Sequence, residues 1–296
     1  MRIARWRHDG AIGEGFVVGD AVIAFPDGLT VADVLARGTD AAQSLLGRID
    51  AADGVALDEV ELLPPVVPPA IRDFVAFEEH VEGVSASVDG KSEVVPEWYQ
   101  APTFYFTNPH TLRATGEMVP VPETEWLDFE LEVAAVIGGV SGSDGRSLTV
   151  PDAAAHIFGY TIMNDWSARD LQSREMKVRL GPCKGKDFAM TLGPWIVTAD
   201  EVADLVDDEG FLALRAEVSV NGGASARTSS RTWAGRSPSS SLTRRGTPAS
   251  SRATCWARGP SATVGASASS GGAAVTCRRS SPATRCAWWS SGSARS

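Results

Sequence analysis

Eight polar side chains ahead of residue 190 are of types that do chemistry on small anions: Asp73, His80, Glu130, Glu132, Asp165, Arg169, Gln172 and Lys186. The four carboxylates are hard oxygen donors, suited to Mg²⁺ or Ca²⁺, or to Mn²⁺, rather than to a soft metal. One histidine can serve as a base, while an arginine, a glutamine and a lysine can stabilise oxyanions. Together they describe a hard-metal site with a proton acceptor and three groups that hold negative charge.

The spacing says how local structure could present these groups, and each placement has a plainer reading. If "DFVAFEEHVEG" is helical, Asp73 and His80 lie two turns apart on one face, with Phe74, Phe77 and Val81 as the opposite buried stripe. The plainer reading is a capping aspartate and a solvated histidine. In "LDFELEVAAVIG", strand alternation puts Glu130 and Glu132 on one side and Phe129, Leu131 and Val133 on the other. Two like charges that close need a cation, unless the strand merely shows a wet acidic face. Asp165 follows the apolar strand "HIFGYTIM" where "NDWSARDLQSREM" reads as a short helix. There it is either a functional side chain at a strand end or an N-cap in an ion pair with Arg169, Gln172 lying a turn beyond. Lys186 closes "GPCKGKDF" and is either aimed at an anionic substrate or part of a solvated turn. "GGVSGSDG" lacks the lysine and helix of a phosphate cradle and reads as a turn. No H-E-x-x-H or G-x-S-x-G occurs, which removes the zincin and serine-hydrolase elbow readings.

The elements that must carry these groups are mostly strands. "MRIARW", "EGFVVGD" and "AVIAFPDG" alternate between Gly/Asp turns; "TVADVLARG" and "DAAQSLLGRI" are helical by spacing, with Thr30 and Asp40 as N-caps. The proline-rich "LLPPVVPPA" suits neither a helix nor a sheet interior and reads as a connector. Beyond it, "FELEVAAVIGG" and "RSLTV" flank a hairpin-like turn, and "GPWIVTADEV" and "LALRAEVSVNGG" are further strands. The expected class is α+β and sheet-dominated, not doubly wound. The expected division is a small α+β N-terminal domain over 1–61, a linker over 62–72, a catalytic core over 73–226 and a tail over 227–296.

Charge narrows the partners. All 37 acidic residues lie at or before Glu217, and the tail holds eleven arginines, so residues 1–226 carry 16 basic groups against 37 acids, a net −21. So acidic a body repels nucleic acid and anionic membrane and gathers cations. No stretch approaches the ~20 apolar residues of a membrane span, and no apolar run follows the basic start. Cys183 is the only cysteine ahead of the tail, and Cys255, Cys277 and Cys286 follow no zinc-like spacing. The expectation is a cytoplasmic, disulfide-free protein.

The stretches "RDFVAFEEHV", "PEWYQAPTFYF", "LDFELEVAAVIG", "GYTIMNDWSARDLQ" and "KGKDFAMTLGPWIVT" resemble the fumarylacetoacetate hydrolase family over roughly 64–222. The resemblance implies a mixed β-roll or sandwich catalytic domain behind a small N-terminal domain, and a homodimer in intact relatives. It implies Asp73, Glu130, Glu132 and Asp165 as metal ligands and His80 as the histidine that activates water. Arg169, Gln172 and Lys186 then bind substrate oxygens, although the Arg169–Lys186 spacing is one residue longer than in the hydrolase prototype. The implied reaction is metal-assisted carbon–carbon cleavage of a β-diketo acid or acylpyruvate in aromatic-compound breakdown. Relatives that decarboxylate oxaloacetate-like acids or isomerise hydroxy-dienoates use the same cradle, so the fold does not choose the reaction.

The tail breaks the resemblance. From Arg227 onward there is no Lys, Asp, Glu, Asn, Gln, His, Ile, Phe, Tyr or Met. Shifted by one nucleotide, "RTWAGRSPSSSLTRR" permits "KNMGWSFAELVAHAS", and "SSPATRCAWWSS" permits "LLPGDAVRMVVE". "SSRATCWARGPSATVGASASSGG" permits "VVPGDVLGSGTVGNGGCLGELWG" in the same frame, so the family's missing segments return in order. The expectation is a frameshifted, disordered translation from about 223–231 onward, and a chain that is misfolded or inactive as written. The rival is a genuine Arg/Ser-rich arm that binds acidic partners, against which its four tryptophans argue.

Overall fold

The structure, a computed structural model, describes residues 1–50, 53–75, 94–100, 103–206, 212, 214–221, 223–229 and 263–267. The chain starts with an antiparallel meander, β1 (Arg2–His8), β2 (Ala11–Val18) and β3 (Ala21–Ala24), followed by helices α1 (Val31–Arg37) and α2 (Thr39–Leu46). Thr30 caps α1 through a reciprocal box with Asp33. The expected cap at Asp40 does not form: α2 starts from Gly38, and Asp40 lies within its first turn. Strands β4 (Val55–Ala56), β5 (Glu61–Leu63), β6 (Ala70–Phe74), β7 (Phe104–Thr107) and β8 (Leu112–Arg113) follow. The long β9 (Leu127–Ile137) and β10 (Ile157–Ala168) flank α3 (Val150–Ala155), and α4 (Arg169–Lys177) leads to β11 (Met190–Thr198). The hairpin expected across 129–150 is therefore absent, since Thr149 caps α3 and "RSLTV" is not a strand.

Among the described residues, one sheet runs β4-β3-β2-β1-β11-β10-β9-β14-β6-β7, where β14 is Thr263–Ser267, with β5 on β1 and β8 on β11. Strand β1 joins β11 through Arg2↔Val197 and Ile3↔Ile196, so the first 61 residues and the strands after the proline-rich stretch share a ladder. Strand β14 (Thr263–Ser267), from within the arginine-rich stretch, lies parallel to β6 and antiparallel to β9. A separate hairpin pairs β12 (Arg215–Val220) with β13 (Gly223–Ser229). The sheet-dominated α+β class is as expected. No helix among the described residues is long and apolar enough to cross a membrane.

One face of this sheet divides into an apolar and an acidic half. Along β9 the inward side chains run Asp128, Glu130, Glu132, Ala134, Val136. Ala134 and Val136 share a core with Ile3, Phe16, Met163, Leu192 and Ile196, and with Val34 and Leu35 of α1. The helix seats tightly: Gly139 donates its amide to the Leu35 carbonyl at 2.8 Å, and a Cβ there would lie 2.0 Å from the Ala36 oxygen. A few residues earlier on the same strand face, apolar packing gives way to carboxylates.

A candidate metal centre

Asp73 enters the site from a strand. Asp73 lies within β6 and not at the start of a helix; the strand's register sets Asp73 opposite Tyr105 on β7, with Ile71 and Asp73 as its buried side chains. Of the expected apolar stripe only Phe74 is described, and pairing to β7 and β14 holds it in the strand; Phe77 and Val81 lie outside the described residues. His80 lies outside the described residues, so its shared helical face with Asp73 is not part of this geometry.

Asp165 is likewise a strand residue and not an N-cap. Strand β10 is paired by β11 as far as Asp165 and by β9 as far as Ala168, and it places Asp165 opposite Glu130 and Met190. The expected ion pair between Asp165 and Arg169 does not form. Arg169, at the start of α4, instead reaches Asp128 through Nε and Glu130 through Nη1, each at 2.8 Å. Nη1 also donates to Gln172 Oε1 at 3.0 Å.

Glu130 and Glu132 share one face of β9 as alternation requires, and that face is buried, not wet: Glu132 is 2% exposed and Asp165 0%. Lys186, also buried, donates from Nζ to Asp165 Oδ2 at 2.5 Å and to Glu130 Oε2 at 2.8 Å. Glu130 thus stands between two cations. The other three carboxylates, Asp73, Glu132 and Asp165, converge with one oxygen each, all within 4.8 Å of one another.

Burial first, then the neighbouring Asp165, pushes the Asp73 carboxyl well above the usual carboxylate range. Burial and the charges of Asp73, Glu130 and Asp165 do the same to Glu132. Asp165 is raised by burial, with Lys186 opposing. Burial also works against the Lys186 ammonium, yet Asp165 and Glu130 hold its pKa above the ordinary lysine value. Glu132 Oε2 and Asp165 Oδ1 are buried with no hydrogen-bond partner among the described residues. Converging hard oxygens, repelled by one another and short of donors, fit a divalent cation.

Residues 70–235 match the fumarylacetoacetate (FAA) hydrolase C-terminal family. The chain belongs to the fumarylacetoacetate hydrolase family. Over 161 residues it is 37% identical to fumarylacetoacetase of Arabidopsis thaliana, a match that covers 49% of this chain and 38% of that relative's length. Among solved structures it resembles maleylpyruvate hydrolase from Sphingobium sp. SYK-6 in complex with manganese(II) and pyruvate, with a TM-score of 0.56 at 21% identity over 90% of this chain and 87% of that one. It also resembles 2-hydroxyhepta-2,4-diene-1,7-dioate isomerase from Mycobacterium marinum, with a TM-score of 0.58 at 17% identity over 90% and 86%. At these identities the likeness is one of fold.

Within this family fold, the sequence reading missed two neighbours of the carboxylates. The Tyr105 hydroxyl lies 3.0 Å from Asp73 Oδ2 and 2.5 Å from Asp165 Oδ2. Burial and the charges of Asp165 and Asp73 raise its pKa well above that of an ordinary phenol. Alternation in "TFYFT", with Tyr105 between two phenylalanines, is the signal that could have singled it out. Asp128, the second ion partner of Arg169, completes an acidic row at 128, 130 and 132 and was equally open to the period-two argument.

Proposed function

We propose that this site belongs to a metal-dependent hydrolase that cleaves a carbon–carbon bond in a β-diketo acid or acylpyruvate, in aromatic-compound breakdown. The observation that carries the reading is the convergence of buried Asp73, Glu132 and Asp165 beside the paired cations Lys186 and Arg169. Those three carboxylates, with Glu130 next to them, would hold Mg²⁺, Ca²⁺ or Mn²⁺. Such an ion, when bound, supplies Lewis acidity toward a chelating keto acid.

The protein's own groups do the rest. Lys186 Nζ gives two of its three hydrogens to Asp165 and Glu130 and keeps the third for a substrate oxygen. Arg169 uses Nε and Nη1 on Asp128, Glu130 and Gln172, and Nη2 takes no part in those contacts. Lys186 is buried and Arg169 partly so, a setting in which charge developing on a substrate oxygen is stabilised strongly. His80 is proposed as the base that draws a proton from water. The keto acid as partner, a homodimer and a cytoplasmic setting belong to the same proposal, as do the division at 62–72 and the frameshifted tail.

One observation favours a second reading, a metal-binding relic without turnover: the chain carries no acidic residue after Glu217 and only the arginine-rich tail where the family's last segments belong. The full chain with Mg²⁺ or Mn²⁺ is tested on an acylpyruvate and, in parallel, on oxaloacetate. Loss of the diketo absorbance with two acids formed supports the hydrolase, and carbon dioxide from oxaloacetate alone makes it a decarboxylase. Metal binding with neither reaction identifies the relic. Sequencing the gene across codons 215–240 then reads the tail directly, because an inserted or deleted base restores the family's frame.

A further inference from the structure

The loop that delivers Lys186 is held by a carboxylate that the proposed chemistry does not use. Glu175, in the last turns of α4, accepts three consecutive backbone amides. Cys183 N and Gly185 N each reach Oε2 at 3.1 Å, and Lys184 N reaches Oε1 at 2.9 Å. The turn then closes on itself, with Lys186 N and Asp187 N donating to the Cys183 carbonyl at 2.9 and 2.8 Å. Ala168, three residues after Asp165, donates its amide to the Gly185 carbonyl at 2.7 Å. Gly185 sits so close to α4 that a Cβ would lie 2.6 Å from the Gln172 nitrogen.

Val178 and Leu180, which precede the turn, are 73% and 74% exposed, so apolar burial does not fix its path. Charge-assisted bonds to backbone amides are among the stronger polar contacts, and here three of them cap the turn on which Lys186 stands.

We infer that Glu175 is a positioning residue: its carboxylate fixes the 183–187 turn and thereby holds the Lys186 ammonium between Glu130 and Asp165. The role in turnover rests on the function proposed above; the placement of the ammonium does not. The test is therefore direct. The full chain is labelled with acetic anhydride, and modification of each lysine is read by peptide mass spectrometry, with exposed Lys177 and Lys184 as internal references. In Glu175→Gln one acceptor oxygen becomes a donor, and Lys186 is expected to label at least about tenfold faster, the change that loss of one hydrogen bond to a charged group produces. The rates at Lys177 and Lys184 should stay as they were. An unchanged Lys186 rate, or an equal rise at all three lysines, overturns the inference. Should Glu175→Gln fail to fold, Glu175→Asp, which keeps the charge but withdraws it by one methylene, takes its place with the same expectation at smaller size.

A kinetic arm separates this inference from the functional one. With acylpyruvate and Mn²⁺, Glu175→Gln should lower kcat by about 10–100-fold, the range for residues that orient a site from outside it. KM should move far less, and Glu175→Gln should add nothing further in a Lys186→Met background. Equal effects in both backgrounds overturn the inference. If Lys186→Met itself leaves turnover intact, the proposed function fails, and the labelling result still decides the role of Glu175.

Discussion

Replacing Lys186 by methionine removes a charge while keeping most of the volume of the side chain. The ammonium it deletes is 4% exposed and lies 2.5 Å from Asp165 and 2.8 Å from Glu130, themselves 0% and 8% exposed. Breaking a buried pair from one side leaves uncompensated charge and costs about 3–5 kcal/mol. Proton uptake by the orphaned carboxylates offsets part of this, so the lower end applies near neutrality and less below it. The assay is urea unfolding of wild type and variant in EDTA, then at a fixed Mg²⁺ concentration. Mg²⁺ restores stability to both, by about 2.7 kcal/mol at a hundred times the dissociation constant. With the repelling ammonium gone the variant binds the ion more tightly, and each tenfold gain in affinity adds about 1.4 kcal/mol to its recovery. A loss below about 1 kcal/mol, the worth of an exposed pair, would mean that Lys186 is not a buried ion partner of Asp165 and Glu130. So would a variant that Mg²⁺ stabilises no more than wild type.

Three further outcomes follow from the same geometry. In EDTA, Asp73 and Glu132 have folded-state pKa values raised by burial above their unfolded values of about 4. Their contribution is present below that value and is lost as pH rises through the raised pKa values, so metal-free stability should fall with rising pH there; a thermal-unfolding series at several pH values checks it, and a flat or rising profile contradicts it. Gly185→Ala places a Cβ 2.6 Å from the Gln172 nitrogen and should displace the Lys186 turn, lowering kcat by about a hundredfold with a folded circular dichroism spectrum. Tyr105→Phe removes the hydroxyl shared by Asp73 and Asp165 and should destabilise the metal-free chain by about 1.5–3 kcal/mol in urea unfolding.

The parts of the site set by period-two alternation were legible in the sequence. Glu130 and Glu132 had to share a face of β9, and they do. Whether that face was wet was not legible, because the groups that cover it come from distant positions: Arg169, Lys186, and Asp73 on β6. Asp165 and Asp73 were assigned to helices on local spacing, but sheet pairing on both sides of β10 and β6 satisfied their backbones as strands. The grip of Glu175 on residues 183–185 spans eight to ten positions across a loop, beyond any helical or strand period. The α+β, sheet-dominated class was legible because strand patterns outnumber helical ones along the whole first two hundred residues.

Asp73, Glu132 and Asp165 are proposed to form one site for a hard divalent cation. Calorimetric titration of the full chain with Mn²⁺, beside its Asp165→Asn variant, tests it most directly. One ion per chain is expected for wild type, with an affinity at least about tenfold weaker for the variant, as loss of a charged ligand requires. No saturable heat in the wild type, or the same isotherm for both proteins, would contradict it.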